Sequence, residues 1–156
     1  VSIISGDNNQ TTQYVAGAVG LEEVRAEASP VEKKEAIRAL QGRNQHVLMI
    51  GDGINDAPAL TEATLGVAMG RGTDIARESA AVVLVRDDLR LIPYFLRASR
   101  KVYGIIRQNI FWAFFYNVAA IPLAVAGLLH PIVAAGAMAA SSLFVVGNSL
   151  RIRRLV

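Results

Sequence analysis

Two carboxylates, Asp52 and Asp56, stand four residues apart within Met49-Ile50-Gly51-Asp52-Gly53-Ile54-Asn55-Asp56-Ala57-Pro58-Ala59-Leu60. They offer hard oxygen ligands of the kind magnesium prefers, with a substrate phosphate completing its shell. Asn55 can donate its amide to a phosphate oxygen, and Gly51 and Gly53 permit a tight loop. The chemistry implied is phosphate binding assisted by a divalent cation. A plainer alternative fits the same residues: Asp56 caps a helix and Asp52 is simply solvated.

A second set of polar groups lies in stretches that are otherwise apolar: Asn109, Tyr116 and Asn117, then Ser141, Ser142, Asn148 and Ser149. Polar groups in a bilayer are costly and tend to face a bundle interior or a substrate path. Met138 and Ser142 are four apart and share one helix face. The Met138 thioether is a soft ligand, whereas the hydroxyl and amide oxygens discriminate poorly among metals. Interhelical hydrogen bonding by Asn and Ser, with Met as filler, is the alternative.

The elements that must position these groups divide the chain in two. In the first half, Val1–Ile4, Val47–Ile50, Leu65–Met69 and Ala81–Val85 are β-branched or apolar runs separated by polar or amphipathic segments. That alternation predicts an α/β fold with a parallel sheet covered by helices. Ser29, Pro30 and Glu32 combine an N-cap, a first-turn proline and a capping box, so a helix should run to about Gln41, with Gly42 ending it. The Asp52 loop follows a strand and opens a helix at Pro58, the carboxyl end of a strand where such folds place ligands.

The second half begins with an amphipathic stretch and then runs without a charge from Gln108 to Leu129 and, after His130 and Pro131, from Ile132 to Leu150. About 20 apolar residues suffice to cross the hydrocarbon core, which predicts a transmembrane hairpin. Up to Arg90 the chain carries 13 acidic and 9 basic residues; beyond it there are seven basic and no acidic ones. Those seven, Arg97, Arg100, Lys101, Arg107, Arg151, Arg153 and Arg154, bracket the apolar stretches, while the turn near Gly127 to Pro131 has no lysine or arginine. By the positive-inside rule both ends and the α/β half are cytoplasmic. No nucleic-acid-binding motif occurs, so no nucleic-acid partner is expected. The absence of cysteine excludes disulfides, zinc–thiolate clusters and a thiolate nucleophile within these residues.

The twelve-residue segment around Asp52 resembles the hinge motif of the P-type ATPases, which belong to the haloacid dehalogenase superfamily. Two further segments match in the expected order. Ser5-Gly6-Asp7 is similar to the superfamily's Thr-Gly-Asp, whose hydroxyl binds the transferred phosphate. Pro30-Val31-Glu32-Lys33 is similar to Pro-x-x-Lys, whose lysine neutralises phosphate charge; this favours Lys33 over Lys34, either of which would otherwise read as a solvated helix face. Met69-Gly70-Arg71-Gly72-Thr73-Asp74 also resembles the P-type pattern and reads as a strand-to-helix turn. The Asp-Lys-Thr-Gly-Thr string that carries the family's nucleophilic aspartate is absent, and Asp7 with Asn9 and Thr11 only faintly imitates a nucleophile motif.

In the membrane half, Tyr116-Asn117 and Met138-Ala139-Ala140-Ser141-Ser142 resemble the signature of the copper-transporting subclass. The resemblance implies that Tyr116, Asn117, Met138 and Ser142 line a Cu(+) path, possible also for Ag(+), and that zinc-type relatives differ by carrying charges here. It also implies Mg2+ at Asp52 and Asp56, a phosphate site with Ser5, Gly6, Asp7, Lys33 and Asn55, and ATP bound mainly by a domain outside this chain. Expected partners are the rest of the pump (actuator, nucleotide-binding and earlier transmembrane segments), the lipid bilayer and a copper chaperone; the expected location is the plasma membrane. The expected layout is a partial phosphorylation domain (1–90), an amphipathic connecting helix (91–107), two transmembrane helices (108–129 and 131–150) and a cytoplasmic tail (151–156). Without the nucleophile this chain alone is expected to be inactive. A membrane-tethered phosphatase of the same superfamily, or a non-catalytic membrane module, are the alternative functions.

Overall fold

The computed structural model describes residues 1–127 and 130–154. It divides into two compact units, Val1–Leu89 and the segment from Arg90 onward.

The first unit is built of parallel β-α-β steps. Strand β1 (Ile3–Ile4) leads through α1 (Asn9–Val19) to β2 (Val24–Arg25), which pairs with β1 in parallel. Helix α2 (Pro30–Gly42) then leads to β3 (Leu48–Gly51). A 3-10 turn (Ile54–Asp56) and α3 (Ala57–Glu62) carry the chain to β4 (Leu65–Met69), and α4 (Asp74–Ser79) carries it to β5 (Val82–Leu84). Strands β3, β4 and β5 form a three-stranded parallel sheet in that order, separate from the β1–β2 pair. All three short β-α-β connections are thus helical, as parallel pairing requires.

Helix α2 starts as the sequence dictates. The Ser29 side chain accepts from the Glu32 N–H, and the Glu32 carboxylate accepts from the Ser29 N–H at 2.8 Å. The bond from the Ser29 N–H, and after it one from the Ser29 hydroxyl at 2.7 Å, hold the Glu32 carboxyl below its ordinary value. The helix includes Gly42 and is capped at Arg43, one residue beyond expectation. The core joins α1 through Ala16, α2 through Ile37 and the main sheet through Val67, Ala68 and Leu84; Leu60 of α3 and Val67 of β4 are its largest fully buried side chains. Strand β2 was not foreseen: only two residues pair, too few to leave a periodicity in sequence.

The second unit is a helical hairpin. Helix α5 (Leu91–Val125) joins the amphipathic stretch and the first apolar stretch without a break, and α6 (Pro131–Ser149) follows, ending in a 3-10 turn (Leu150–Arg154). Both helices are long and apolar enough to cross a membrane. Leu128 and Leu129, the expected end of the first span, and the last two residues of the expected tail lie outside the described residues. On α6, Ala134, Ala137, Ser141, Val145 and Asn148 are buried or half-buried, a stripe with the 3–4-residue spacing of one helix face.

Candidate functional site

The loop after β3 is organised around Asp56. The side chain of Asp56, 12% exposed, folds back under the loop, where its Oδ2 accepts the N–H groups of Asp52 and Gly53, each at 3.3 Å. Its Oδ1 accepts from Lys33 Nζ at 2.8 Å, and the Lys33 side chain is only 9% exposed. Taking two charges out of water is costly, and here the ammonium and two backbone N–H groups offset that cost. Gly51 is required by this arrangement, because a Cβ there would stand 2.6 Å from the Asp56 Cβ. Gly53 is not under the same demand, its nearest neighbour being 3.7 Å away at an extended φ of −107°.

The two carboxylates therefore divide. Asp56 points inward and its oxygens are engaged; Asp52 is exposed, and among the described residues no hydrogen bond or ion pair engages its carboxylate. Asn55 is exposed on the same loop. The Asp52 carboxylate is thus open to solvent, whereas that of Asp56 is engaged by Lys33 and by two N–H groups of its own loop. One free hard carboxylate suits magnesium, which keeps several waters and takes remaining ligands from phosphate.

Lys33 and Lys34 also part company. Lys34 is 41% exposed and lies 3.5 Å from Glu62, on the surface. Glu62 is held below its ordinary carboxyl value chiefly by its hydrogen bond from Arg38.

The Ser5–Asp7 turn at the end of β1 is self-contained. Ser5 Oγ donates to Asp7 Oδ2 at 3.0 Å and accepts from the Asp7 N–H at 3.1 Å. The Ser5 and Asp7 carbonyls accept from Ala28 and Glu27, both at 2.9 Å. Glu27 has φ +53°, a left-handed conformation that costs a non-glycine residue roughly 1 kcal/mol or more. The turn is thus tied to the segment that ends in Ser29, the cap of the helix bearing Lys33. Helix α2 is the physical link between the Ser5–Asp7 turn and the Asp52 loop, whose strands belong to different sheets.

In the hairpin, Tyr116 Oη donates to the Ala134 carbonyl at 2.9 Å, across from α5 to α6. Asn117 Nδ2 donates to Ala113 O at 3.0 Å and Ser142 Oγ to Met138 O at 3.1 Å, each within its own helix. Met138 is 63% exposed. Sequence reasoning undervalued a second cluster at the other end of the hairpin. Asn148, buried, donates to Asn109 Oδ1 at 2.9 Å and Gln108 Oε1 at 3.3 Å and accepts from Arg151 Nη1 at 2.9 Å. Asn109 Nδ2 in turn donates to Ser149 Oγ at 2.8 Å. Asn148→Leu removes three hydrogen bonds at roughly 0.6 kcal/mol each, so about 2 kcal/mol of hairpin stability should be lost. An unchanged midpoint in a sodium dodecyl sulfate titration of the chain would contradict this.

The described residues thus combine a parallel α/β unit, with an acidic loop after β3, and two helices long and apolar enough to cross a membrane. The family model for haloacid dehalogenase-like hydrolases matches residues 1–64. The copper-exporting P-type ATPase of Staphylococcus saprophyticus is 48% identical over 155 residues, 99% of this chain and 20% of that protein. The copper-exporting P-type ATPase of Mycobacterium tuberculosis is 50% identical over 152 residues, 97% of this chain and 20% of that protein. Among solved structures, a zinc-transporting PIB-type ATPase in the E2.Pi state superposes with a TM-score of 0.88 at 34% identity, covering 96% of this chain and 25% of that one. The catalytic domain of the CPx-ATPase CopB-B gives 0.58 at 37% identity, over 58% of this chain and 36% of that one. The chain is homologous to the C-terminal part of the copper-exporting P-type ATPases, and it spans 20% of the length of these curated relatives.

Proposed function

We propose that this chain is the C-terminal portion of an ATP-driven Cu(+) exporter, in which it supplies the magnesium and phosphate hinge and part of the membrane ion path. The observation that carries the reading is the exposed Asp52 carboxylate on a loop anchored by the buried Lys33–Asp56 pair. Magnesium bound there would neutralise charge on the transferred phosphate. Asp52 would hold it, Asp56 and Lys33 would fix the loop, and Asn55 and Ser5 would donate to phosphate oxygens. The nucleophilic aspartate and the nucleotide site would belong to the rest of the pump, the chain's principal partner, with a lipid bilayer around α5 and α6.

Copper is favoured over zinc by the chemistry of the hairpin. No charged residue occurs between Gln108 and Leu150, whereas Met138 supplies a thioether, and Tyr116, Asn117 and Ser142 would supply oxygens. Cytoplasmic placement of the α/β half and both ends, with the 127–131 turn outside, follows from the basic flanks. The layout of residues 1–90, 91–107, 108–129, 131–150 and 151–156, the plasma membrane as location and delivery by a copper chaperone belong to the same proposal.

The test is made in the complete pump. Asp52→Asn should abolish acid-stable phosphoenzyme formation from ATP, while Lys34→Ala should stay near wild type because its ion pair is superficial. Wild-type phosphorylation of the Asp52 variant would overturn the reading.

A further inference from the structure

The Gly70–Thr73 turn contributes no side chain to the site described above, yet its backbone lies against the hinge loop. The Thr73 N–H donates to the Asp52 carbonyl at 2.9 Å. A Cβ placed on Gly72 would stand 2.9 Å from that same oxygen and 3.2 Å from Asp52 Cα, both backbone atoms that have no flexible end to yield. The turn closes on itself through the Gly72 N–H to Met69 O at 2.9 Å.

The turn is fixed on its far side as well. The Arg71 N–H donates to Asp87 Oδ1 at 3.2 Å, and Arg71 Nε lies 2.9 Å from Asp87 Oδ2. Thr73 is in addition the N-cap of α4, its Oγ1 accepting from the Ala76 N–H at 3.3 Å. Asp52 is consequently held at both of its backbone polar groups, N–H by Asp56 and C=O by Thr73, while its carboxylate is exposed.

We propose that Gly72 and the Thr73 N–H are positioning elements for the Asp52 carboxylate, setting the direction from which it meets the cation; this rests on the reading of Asp52 as the magnesium ligand. Magnesium demands near-ideal octahedral geometry, so a ligand displaced by a few tenths of an ångström binds it poorly. The loss of such outer support typically weakens metal binding by about 10- to 100-fold.

The experiment uses the complete pump and two readouts. In Gly72→Ala, the magnesium concentration for half-maximal phosphoenzyme should rise by about tenfold or more with the plateau retained. Gly17→Ala, on α1 with nothing within 4 Å of the new Cβ, should titrate as wild type. Hydrogen–deuterium exchange supplies the second readout. Magnesium with beryllium fluoride should slow exchange of residues 70–76 in the wild type, and should do so in Gly72→Ala only at raised magnesium. A wild-type titration in Gly72→Ala, alongside an inactive Asp52→Asn, would overturn the inference and leave the Asp52 reading standing. Wild-type magnesium dependence in Asp52→Asn would remove both. Should Gly72→Ala fail to fold, the wild-type exchange decides: slowing at 70–76 supports the inference, and no change overturns it.

Discussion

Lys33→Met should destabilise the α/β unit by about 3–5 kcal/mol, the range for removing one partner of a buried ion pair, because it leaves the Asp56 carboxylate uncompensated. Chemical denaturation of the 156-residue chain, followed by far-ultraviolet circular dichroism, checks this. A structural role and a phosphate role for Lys33 are separable by a double variant. Lys33→Met combined with Asp56→Asn removes both charges at once while an amide oxygen can still accept from the Asp52 and Gly53 N–H groups. Replacing a buried pair by neutral groups of similar size is often neutral. The double variant should therefore regain most of the lost stability. If Lys33 also neutralises phosphate, as the Pro-x-x-Lys resemblance implies, the double variant should still form no phosphoenzyme in the complete pump, since that cation has not been restored. Recovery of phosphorylation together with stability would reduce Lys33 to a purely structural residue. Lys34→Ala is the counterpart: its exposed pair with Glu62 at 3.5 Å is worth under about 1 kcal/mol.

What the sequence made legible were local rules that the fold does not override. The capping box at Ser29 forms with both of its hydrogen bonds, and β4 occupies the predicted Leu65–Met69. The charge-free stretches become two long helices, because a run of that length and apolarity has no other stable form in lipid. The illegible features are those made by contacts between segments distant in sequence. Nothing around Asp56 announces that it would turn under its loop; that follows from Lys33, 23 residues earlier, reaching it from another helix. The clamp of Thr73 on Asp52 is a backbone bond and leaves no mark in side-chain chemistry. In the hairpin, Asn109 and Asn148 were recognisable as costly polar groups, yet only an antiparallel register brings them within 2.9 Å. The lack of one continuous sheet was equally unforeseen. Strands β1 and β3 carry the Ser5–Asp7 turn and the Asp52 loop at their carboxyl ends, and each pairs on one side only within the described residues.

Met138→Ala in a complete pump should cut Cu(I)-dependent turnover strongly, whereas Leu143→Ala should leave it nearly unchanged. The comparison is informative because the two side chains are alike in packing. Met138 is 63% exposed on the hairpin and Leu143 is 73% exposed, so neither is a main support of the α5–α6 contact. A packing role therefore predicts small and similar losses. Ligation predicts a difference, since a thioether is a soft donor suited to Cu(I) and an isobutyl group is no donor at all. Asn117 and Ser142 each spend a donor on their own helix, and the lone pairs left on their oxygens bind soft metals poorly, so a Cu(I) path through these residues would depend on the sulfur. Tyr116 is tied to the Ala134 carbonyl, so Tyr116→Phe should loosen the hairpin as well as remove an oxygen. Phosphorylation of Met138→Ala from inorganic phosphate should persist, because Asp52, Lys33 and Asp56 are untouched. Unchanged Cu(I) turnover and stoichiometry in Met138→Ala, Asn117→Ala and Ser142→Ala alike would return these side chains to helix packing.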